Sequence, residues 1–401
     1  MTMHASATWV TAAACNYLPQ VRVLATSFTA HHPGRRMTVL ITDTPPPDVD
    51  MSAEPYDVLF PKDVGMAPSW LMTHTCKELS AAAKPGLLLH ALAHGAEAVI
   101  FTDPDAVVLA PMPDVDEQVS RRSLTISPHF LGPVDADDAT GRFIEDRVVE
   151  AGAYNGGLIG ATGSDEAIAF LRWWMSMMEV GCRHRLSDAQ HFDQRWLEMV
   201  PSFVVNWARF TDPGLNVSFW RIPGWESPTE DGRMSIDARA CRHLHFSGFV
   251  PEYPDSMVQY FPDLLSLDQV PGLEPAYRQY GAALEREGRA VWRSAPYGFG
   301  HFEDGAPVPD AGRHVYAEMG AGRERFGDPF RSGPRSFQAY LDAPGDNGQP
   351  AITREWIEAH RRSEHLATAF PDPLGRDRAA FHAWTQTDNA RQSRVTPYIL
   401  F

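Results

Sequence analysis

Asp103 and Asp105 flank a single proline at the end of the apolar run Ala98-Val-Ile-Phe-Thr102. Two carboxylates so spaced can set two oxygens on one hard divalent cation, Mg²⁺ or Mn²⁺, and leave the ion's other positions open to phosphate oxygens. The same Asp-Pro-Asp would also serve as a solvated turn, so its surroundings decide. Lys84 precedes this run at a helix start, in a chain whose other lysines are Lys62 and Lys77. A cation there opposes the helix dipole, which suggests a local use such as contact with a phosphate or sugar, against a plain solvated side chain. Asn155-Gly156-Gly157 sets an amide beside two residues that let backbone approach a ligand closely, although an ordinary Asn-Gly turn reads the same way. Asp193-Gln194 and His243-Leu-His245 complete the set, each with a plain alternative as exposed helix carboxylate or core histidine.

These groups need a frame that carries them to one place. Trp9–Cys15 reads as a buried strand, and Pro19 then opens a helix with Val21, Leu24, Ala25 and Phe28 at helical spacing. Gly34 stops that helix, and Met37–Thr42 is a second strand, a βαβ opening that favours parallel pairing. Lys84-Pro-Gly starts a helix with Leu87, Leu88, Ala91 and Leu92 on one face, and Ala98–Thr102 is the strand after it. Ligands of open α/β sheets bind outside the carboxyl ends of strands, where Asp103 and Asp105 fall. Further strands are expected at Ser123–Ser127, Gly157–Ala161, Val217–Ile222 and Leu244–Phe246, with helices after Ser164 and over His191–Val200. Near residue 260 Pro and Gly become frequent and helical pieces (Glu274–Arg289, Thr353–His365, Arg376–Trp384) alternate with loops. The expected division is 1–260, an α/β domain with a mostly parallel sheet, and 261–401, a helical and loop-rich extension that would cap an acceptor cleft.

Composition limits the partners. The 401 residues carry 35 Lys+Arg against 51 Asp+Glu, a net charge of −16, which argues against a general nucleic-acid or anionic-membrane binder. Cys15, Cys76, Cys182 and Cys241 are too scattered for a zinc knuckle and imply no disulfide framework. No run approaches a membrane span, and no Lys or Arg precedes Arg22 to flank a signal peptide, so stable membrane insertion is not expected and a cytoplasmic location is. Asn216-Val-Ser218 matches a glycosylation sequon, incidental in such a chain.

In this order the Asp-x-Asp, the Asn155-Gly-Gly turn, Phe192-Asp-Gln194 and the late His245-Phe-Ser-Gly248 resemble nucleotide-sugar glycosyltransferases of the GT-A fold, most closely the family 8 type. Tyr154–Gly160, Phe192–Pro201, Asp212–Trp220, His245–Phe249, Phe326–Phe330 and the stretch from Phe370 also look like related bacterial transferases, so the similarity spans most of the chain. The resemblance implies that Asp103, Asp105 and His245 hold Mn²⁺ or Mg²⁺. It places Asp193, Gln194 and Asn155 at the donor sugar as catalytic residues. It assigns Thr11, Ala12, Asn16, Tyr17, Lys84, Thr102, Asp103, Gly156 and Gly157 to the nucleotide-sugar, with a UDP-sugar the leading donor. Two departures stand out: no acidic residue precedes Asp43 to read the base, and Phe249-Val-Pro-Glu252 replaces the family's lysine after the His-Phe-x-Gly.

The expected activity is metal-dependent sugar transfer from a nucleoside-diphosphate sugar to an acceptor (a glycan, metabolite or protein), with retention, while Asp193 would serve as base in an inverting enzyme. A nucleotidyltransferase or phosphohydrolase using the same acidic strand end is the alternative enzyme class, although Ala12–Pro19 lacks a Gly-rich phosphate loop. A non-catalytic interaction module is the third reading.

Overall fold

The computed structural model describes residues 6–185, 190–226, 234–261, 265–270 and 272–395. In chain order the strands are β1 (Thr8–Ala13), β2 (Thr38–Ile41), β3 (Asp57–Leu59), β4 (Ala98–Thr102), β5 (Ala106–Val108), β6 (Leu124–Pro128), β7 (Tyr154–Thr162), β8 (His184–Arg185), β9 (Gln190–His191), β10 (Trp207–Arg209), β11 (Trp225–Glu226), β12 (Ser235–Ile236), β13 (Arg239–Ala240) and β14 (His243–His245). Seven form one sheet in the order β10-β6-β7-β4-β1-β2-β3. β1 is parallel to β2 and β4, β2 to β3, and β6 to β10, while β7 runs antiparallel to β4 and β6. This is the mixed, mostly parallel sheet that the GT-A resemblance implies.

The order explains where a site can form. From β1 the chain steps outward through β2 and β3, then returns to lay β4 on the other side of β1. The strand order reverses there, so a crevice opens outside the carboxyl ends of β1 and β4. Residues Thr102 to Asp105 leave one end and Ala14 to Tyr17 leave the other. Every residue of β4, and β1 beyond Thr8, is buried, so both faces of the sheet centre are covered. Helices Lys84–Ala93 and Pro113–Ser120 both pack on β4. A separate ribbon pairs β5 with β14 antiparallel, setting His245 opposite Ala106.

Several elements differ from the expectation. β7 begins at Tyr154, so Asn155 and both following glycines lie within the strand. Val217–Ile222 is not a strand: Val217 makes one parallel bridge with Leu244, and Phe219–Gly224 coils into a 3-10 turn. Asn216, at φ 49°, breaks the extended run just before it. The expected helix His191–Val200 is instead the end of β9, a 3-10 turn Gln194–Met199 and a short helix Val200–Phe203.

The chain divides into two compact units, Met1–Val64 with Ser80–Ala295, and Gly65–Leu79 with Pro296–Leu400. The boundary expected at 260 thus falls inside the first unit. Helix Glu274–Arg286 presents Tyr280 and Tyr277 to Phe246, with ring centroids 3.8 and 4.8 Å apart, and this aromatic contact ties residues past 260 to the end of β14. The second unit has its own core of Met72, Phe302, Val308, Tyr316, Phe337 and Leu341. Within it Arg313 is buried and donates to the carbonyls of Leu71, Met72 and Phe299, and Arg394 pairs with Glu355 at 2.6 Å. The four cysteines are buried and unbridged. Among the described residues no helix is long and apolar enough to cross a membrane.

Candidate functional site

The apolar strand β4 ends where its neighbours change, and the chain turns through Asp103-Pro104-Asp105 into β5. Two backbone bonds fix that turn: Asp103 N–H donates to the Gly157 carbonyl at 3.0 Å, and Phe246 N–H to the Asp105 carbonyl at 2.8 Å. Pairing of β5 with β14 then delivers His245, whose Nε2 lies 3.1 Å from Asp105 Oδ1 and 3.8 Å from Asp103 Oδ2. One ligand atom from each of Asp103, Asp105 and His245 lies within 4.8 Å of the others. His245 is buried, while both carboxylates keep an open edge.

Lys84 closes the other side. Its ammonium lies 3.0 Å from Asp103 Oδ1 and 2.9 Å from Asp193 Oδ2, donates to the Gly156 carbonyl at 3.0 Å, and stands 4.9 Å from the Phe101 ring centroid. It is 5% exposed, so it belongs to the interior and not to a solvated helix end. Asp193 is held in turn by Trp174, whose indole donates to its carbonyl at 3.2 Å. Gly156 and Gly157 are required by this crowding. A Cβ at Gly156 would run into Asp193, and one at Gly157 would meet Asn155 Oδ1 and His245 Cε1 at 2.6 Å each. Their missing side chains thus admit the site's own residues.

Asn155 sits at the hub of a buried network. Its Oδ1 accepts from Gly157 N–H at 2.8 Å and from Asn216 Nδ2 at 3.0 Å, while its Nδ2 faces His129 Nε2 at 3.2 Å and Gln194 Oε1 at 3.4 Å. Gln194 donates onward to the Ala151 carbonyl. Asn216 Oδ1 lies 2.9 Å from His245 Nδ1, and the Trp220 ring meets both His245 and His129 edge-on. Asn216, His129 and Trp220 carry no role in the sequence reading. The local signal for His129 is its position just past the carboxyl end of β6.

The charges do not balance. Among the described residues the cluster sets the carboxylates of Asp103, Asp105 and Asp193 against the Lys84 ammonium, with His245 charged only when protonated. Burial raises Asp103 despite Lys84, whereas at Asp105 burial is overcome by the His245 imidazole acting together with a backbone hydrogen bond and Lys84, and the carboxyl is held below its usual range. Burial works against charge on His245 and Lys84 too, but the adjacent carboxylates prevail and raise both. Surplus negative charge on oxygen ligands with one imidazole nitrogen is a donor set that fits Mg²⁺ or Mn²⁺.

The remaining sequence-predicted residues are distributed as follows. Thr11 and Ala12 are buried in β1, where Thr11 Oγ1 has no hydrogen-bond partner among the described residues. Asn16 and Tyr17 are half-buried in the 3-10 turn after β1, which Asp43 steadies by accepting from Cys15 N–H at 3.2 Å. Burial, then the Asp105 charge, drives the Tyr17 phenol above its ordinary range, so it stays neutral within electrostatic reach of Asp105. The Thr102 hydroxyl is paired with His243 Nε2 at 2.9 Å, and the residue is wholly buried as the last of β4. His243 faces that hydroxyl and is absent from the Asp-Asp-His group.

No protein-family model matches the chain. Over 172 residues, 41% of this chain, it is 26% identical to the uncharacterized protein YfnD of Bacillus subtilis strain 168, and that alignment spans about half (52%) of the relative's length. Among solved structures it is similar to the galactosyltransferase LgtC in complex with donor and acceptor sugar analogs (16% identity, 70% of this chain and 99% of that one, TM-score 0.41). It is also similar to the glycosyltransferase GlyE of Streptococcus pneumoniae TIGR4 (13%, 75% and 67%, TM-score 0.41) and to the bifunctional WbbM (10%, 72% and 52%, TM-score 0.38). Scores of this size describe a partial overlap of chain paths, and the chemistry has to come from the residues themselves.

Proposed function

We propose that the protein transfers a sugar from a nucleoside-diphosphate sugar, a UDP-sugar first, to an acceptor hydroxyl, with a divalent cation and with retention at the transferred carbon. The observation that carries this reading is the convergence of Asp103, Asp105 and His245 beside the Lys84–Asp193 pair at the strand-order reversal. Asp103, Asp105 and His245 would hold Mn²⁺ or Mg²⁺, whose charge would offset that of the leaving diphosphate. Lys84 keeps Asp103 and Asp193 together and adds a fixed positive charge on the same side. Asp193, engaged by that ammonium, suits stabilisation of positive charge developing on the sugar better than proton removal from an acceptor. Asn155, its amide engaged at both ends, would hold Gln194 and the Gly157 backbone in place, Gln194 would orient a sugar hydroxyl, and Tyr17 would stack on the base.

The test is incubation of the purified chain with Mn²⁺ and a panel of nucleoside-diphosphate sugars, with phosphate products resolved by chromatography. The proposed activity releases nucleoside diphosphate, lost in chelator. Release of pyrophosphate would assign a nucleotidyltransferase instead, and no product from any donor would contradict sugar transfer. The anomeric configuration of the product, read by NMR coupling, decides retention.

A further inference from the structure

The hydrogen-bond network determines which nitrogen of His245 carries its proton. Amide orientations and imidazole tautomers must be deduced from partners, and here a backbone group supplies an unambiguous start. Gly157 N–H can only donate, so the Asn155 atom 2.8 Å from it is oxygen. The Asn216 atom 3.0 Å from that oxygen must then donate and is nitrogen. The other arm of the Asn216 amide is therefore its oxygen, an acceptor, 2.9 Å from His245 Nδ1. Nδ1 must carry the hydrogen. A neutral His245 then presents a bare Nε2 lone pair on the side where Asp103 and Asp105 lie.

We infer that Asn216 is a positioning residue that fixes the His245 tautomer and ring so that Nε2 faces the Asp103–Asp105 carboxylates as a ready cation ligand. This rests on the cation site proposed above. Asn216 is 1% exposed, with both ends of its amide engaged, so its Asn-Val-Ser sequon is no acceptor for glycosylation. Its backbone lies at φ 49°, a left-handed conformation that asparagine tolerates better than most residues, and this turn brings the short side chain under the imidazole. The Trp220 ring, 5.5 Å away and nearly perpendicular, limits rotation of His245 from another side. Partners that orient a ligating histidine through its other nitrogen typically contribute 10–100-fold to metal affinity.

The experiment is titration of the full chain, stripped with chelator, with Mn²⁺ alone, free ion being read by electron paramagnetic resonance. The proteins are wild type, Asp105→Asn, Asn216→Ala, Asn216→Asp, His245→Ala and the Asn216→Ala/His245→Ala double variant. Asp105→Asn should lose binding, and Asn216→Ala should weaken it by about 10–100-fold. Asn216→Asp, which can still accept from Nδ1–H, should bind more tightly than Asn216→Ala. In the His245→Ala background Asn216→Ala should cost nothing further, since it acts through that ring. Wild-type affinity in Asn216→Ala, or an equal added loss without His245, would overturn the inference. Should Asn216→Ala not fold, as judged by circular dichroism, Asn216→Asp decides: folded but as weak as Asp105→Asn, it also overturns the inference. Wild-type binding by Asp105→Asn would instead remove the cation site itself, and this inference with it.

Discussion

Lys84 Nζ lies 2.9 Å from Asp193 Oδ2, and both side chains are almost wholly excluded from solvent. The same ammonium reaches Asp103 at 3.0 Å, so one buried cation joins the acidic end of β4 to the carboxylate proposed to face the donor sugar. Removing one partner of such a group leaves uncompensated buried charge, a loss of roughly 3–5 kcal/mol. Lys84→Met should therefore lower unfolding free energy by about that amount in chelator, measured by urea denaturation. Saturating Mn²⁺ should restore part of it. An unchanged midpoint would mean the pair is relaxed by water.

Asp193 should matter to turnover more than to binding. Asp193→Asn keeps the shape of the side chain and removes its charge. We expect kcat to fall by about 100-fold or more, a typical loss when one electrostatic group is removed from a transition state. UDP and Mn²⁺ affinity should stay near wild type. A large rise in the UDP dissociation constant with little change in kcat would assign Asp193 to donor binding.

The two glycines of β7 offer a contrast with Gly163 just beyond the strand. A Cβ at Gly156 or Gly157 would collide with Asp193 or with Asn155 and His245, whereas at Gly163 nothing lies within 4 Å. Gly157→Ala should cost about 1–3 kcal/mol, the usual range for overpacking, and abolish transfer. Gly163→Ala should change neither. Equal tolerance at both positions, by thermal unfolding and product assay, would show that the network repacks freely.

Acid should destabilise the protein partly through His129. Burial lowers its pKa from 6.5 to about 4, and Asn155 Nδ2, oriented by Gly157, donates to its Nε2, which must stay unprotonated. Between those values the unfolded chain binds a proton that the folded chain refuses, so stability falls as pH drops below 6.5 and this contribution levels off near 4. The loss is roughly 3–4 kcal/mol. His129→Gln should flatten the pH dependence of unfolding free energy across that window, measured against wild type. The same slope in both proteins would exclude His129 as a source.

How much of this was legible in the sequence follows from the range of each interaction. β4 reads directly, because a central strand buried on both faces is a continuous apolar run, and its carboxyl end is where acidic groups meet ligands. Asp103 and Asp105 are thus visible locally. His245 is reached only through its motif context, since its approach depends on β14 pairing with the distant β5. Of the Asn216–Asn155–His129 chain, Asn155 shows in its Asn-Gly-Gly motif and His129 only by its place past β6, while Asn216 is an ordinary polar side chain until the fold buries the three together. Val217–Ile222 reads as a strand from its apolar content, but the left-handed Asn216 and the packing of Trp220 on two histidines coil Phe219–Gly224 instead. The domain boundary was misplaced because helix Glu274–Arg286 owes its place to tyrosines stacking on Phe246, a tertiary contact that composition does not report.

The most direct test of the proposed cation-dependent donor site is thermal unfolding of wild type and Asp105→Asn with UDP, in Mn²⁺ and in chelator. UDP at 100 times its dissociation constant should stabilise wild type by about 2.7 kcal/mol in Mn²⁺. The shift should vanish in chelator and in Asp105→Asn. A UDP shift of the same size in chelator, or in Asp105→Asn, would contradict a cation held by Asp103, Asp105 and His245 for the donor diphosphate.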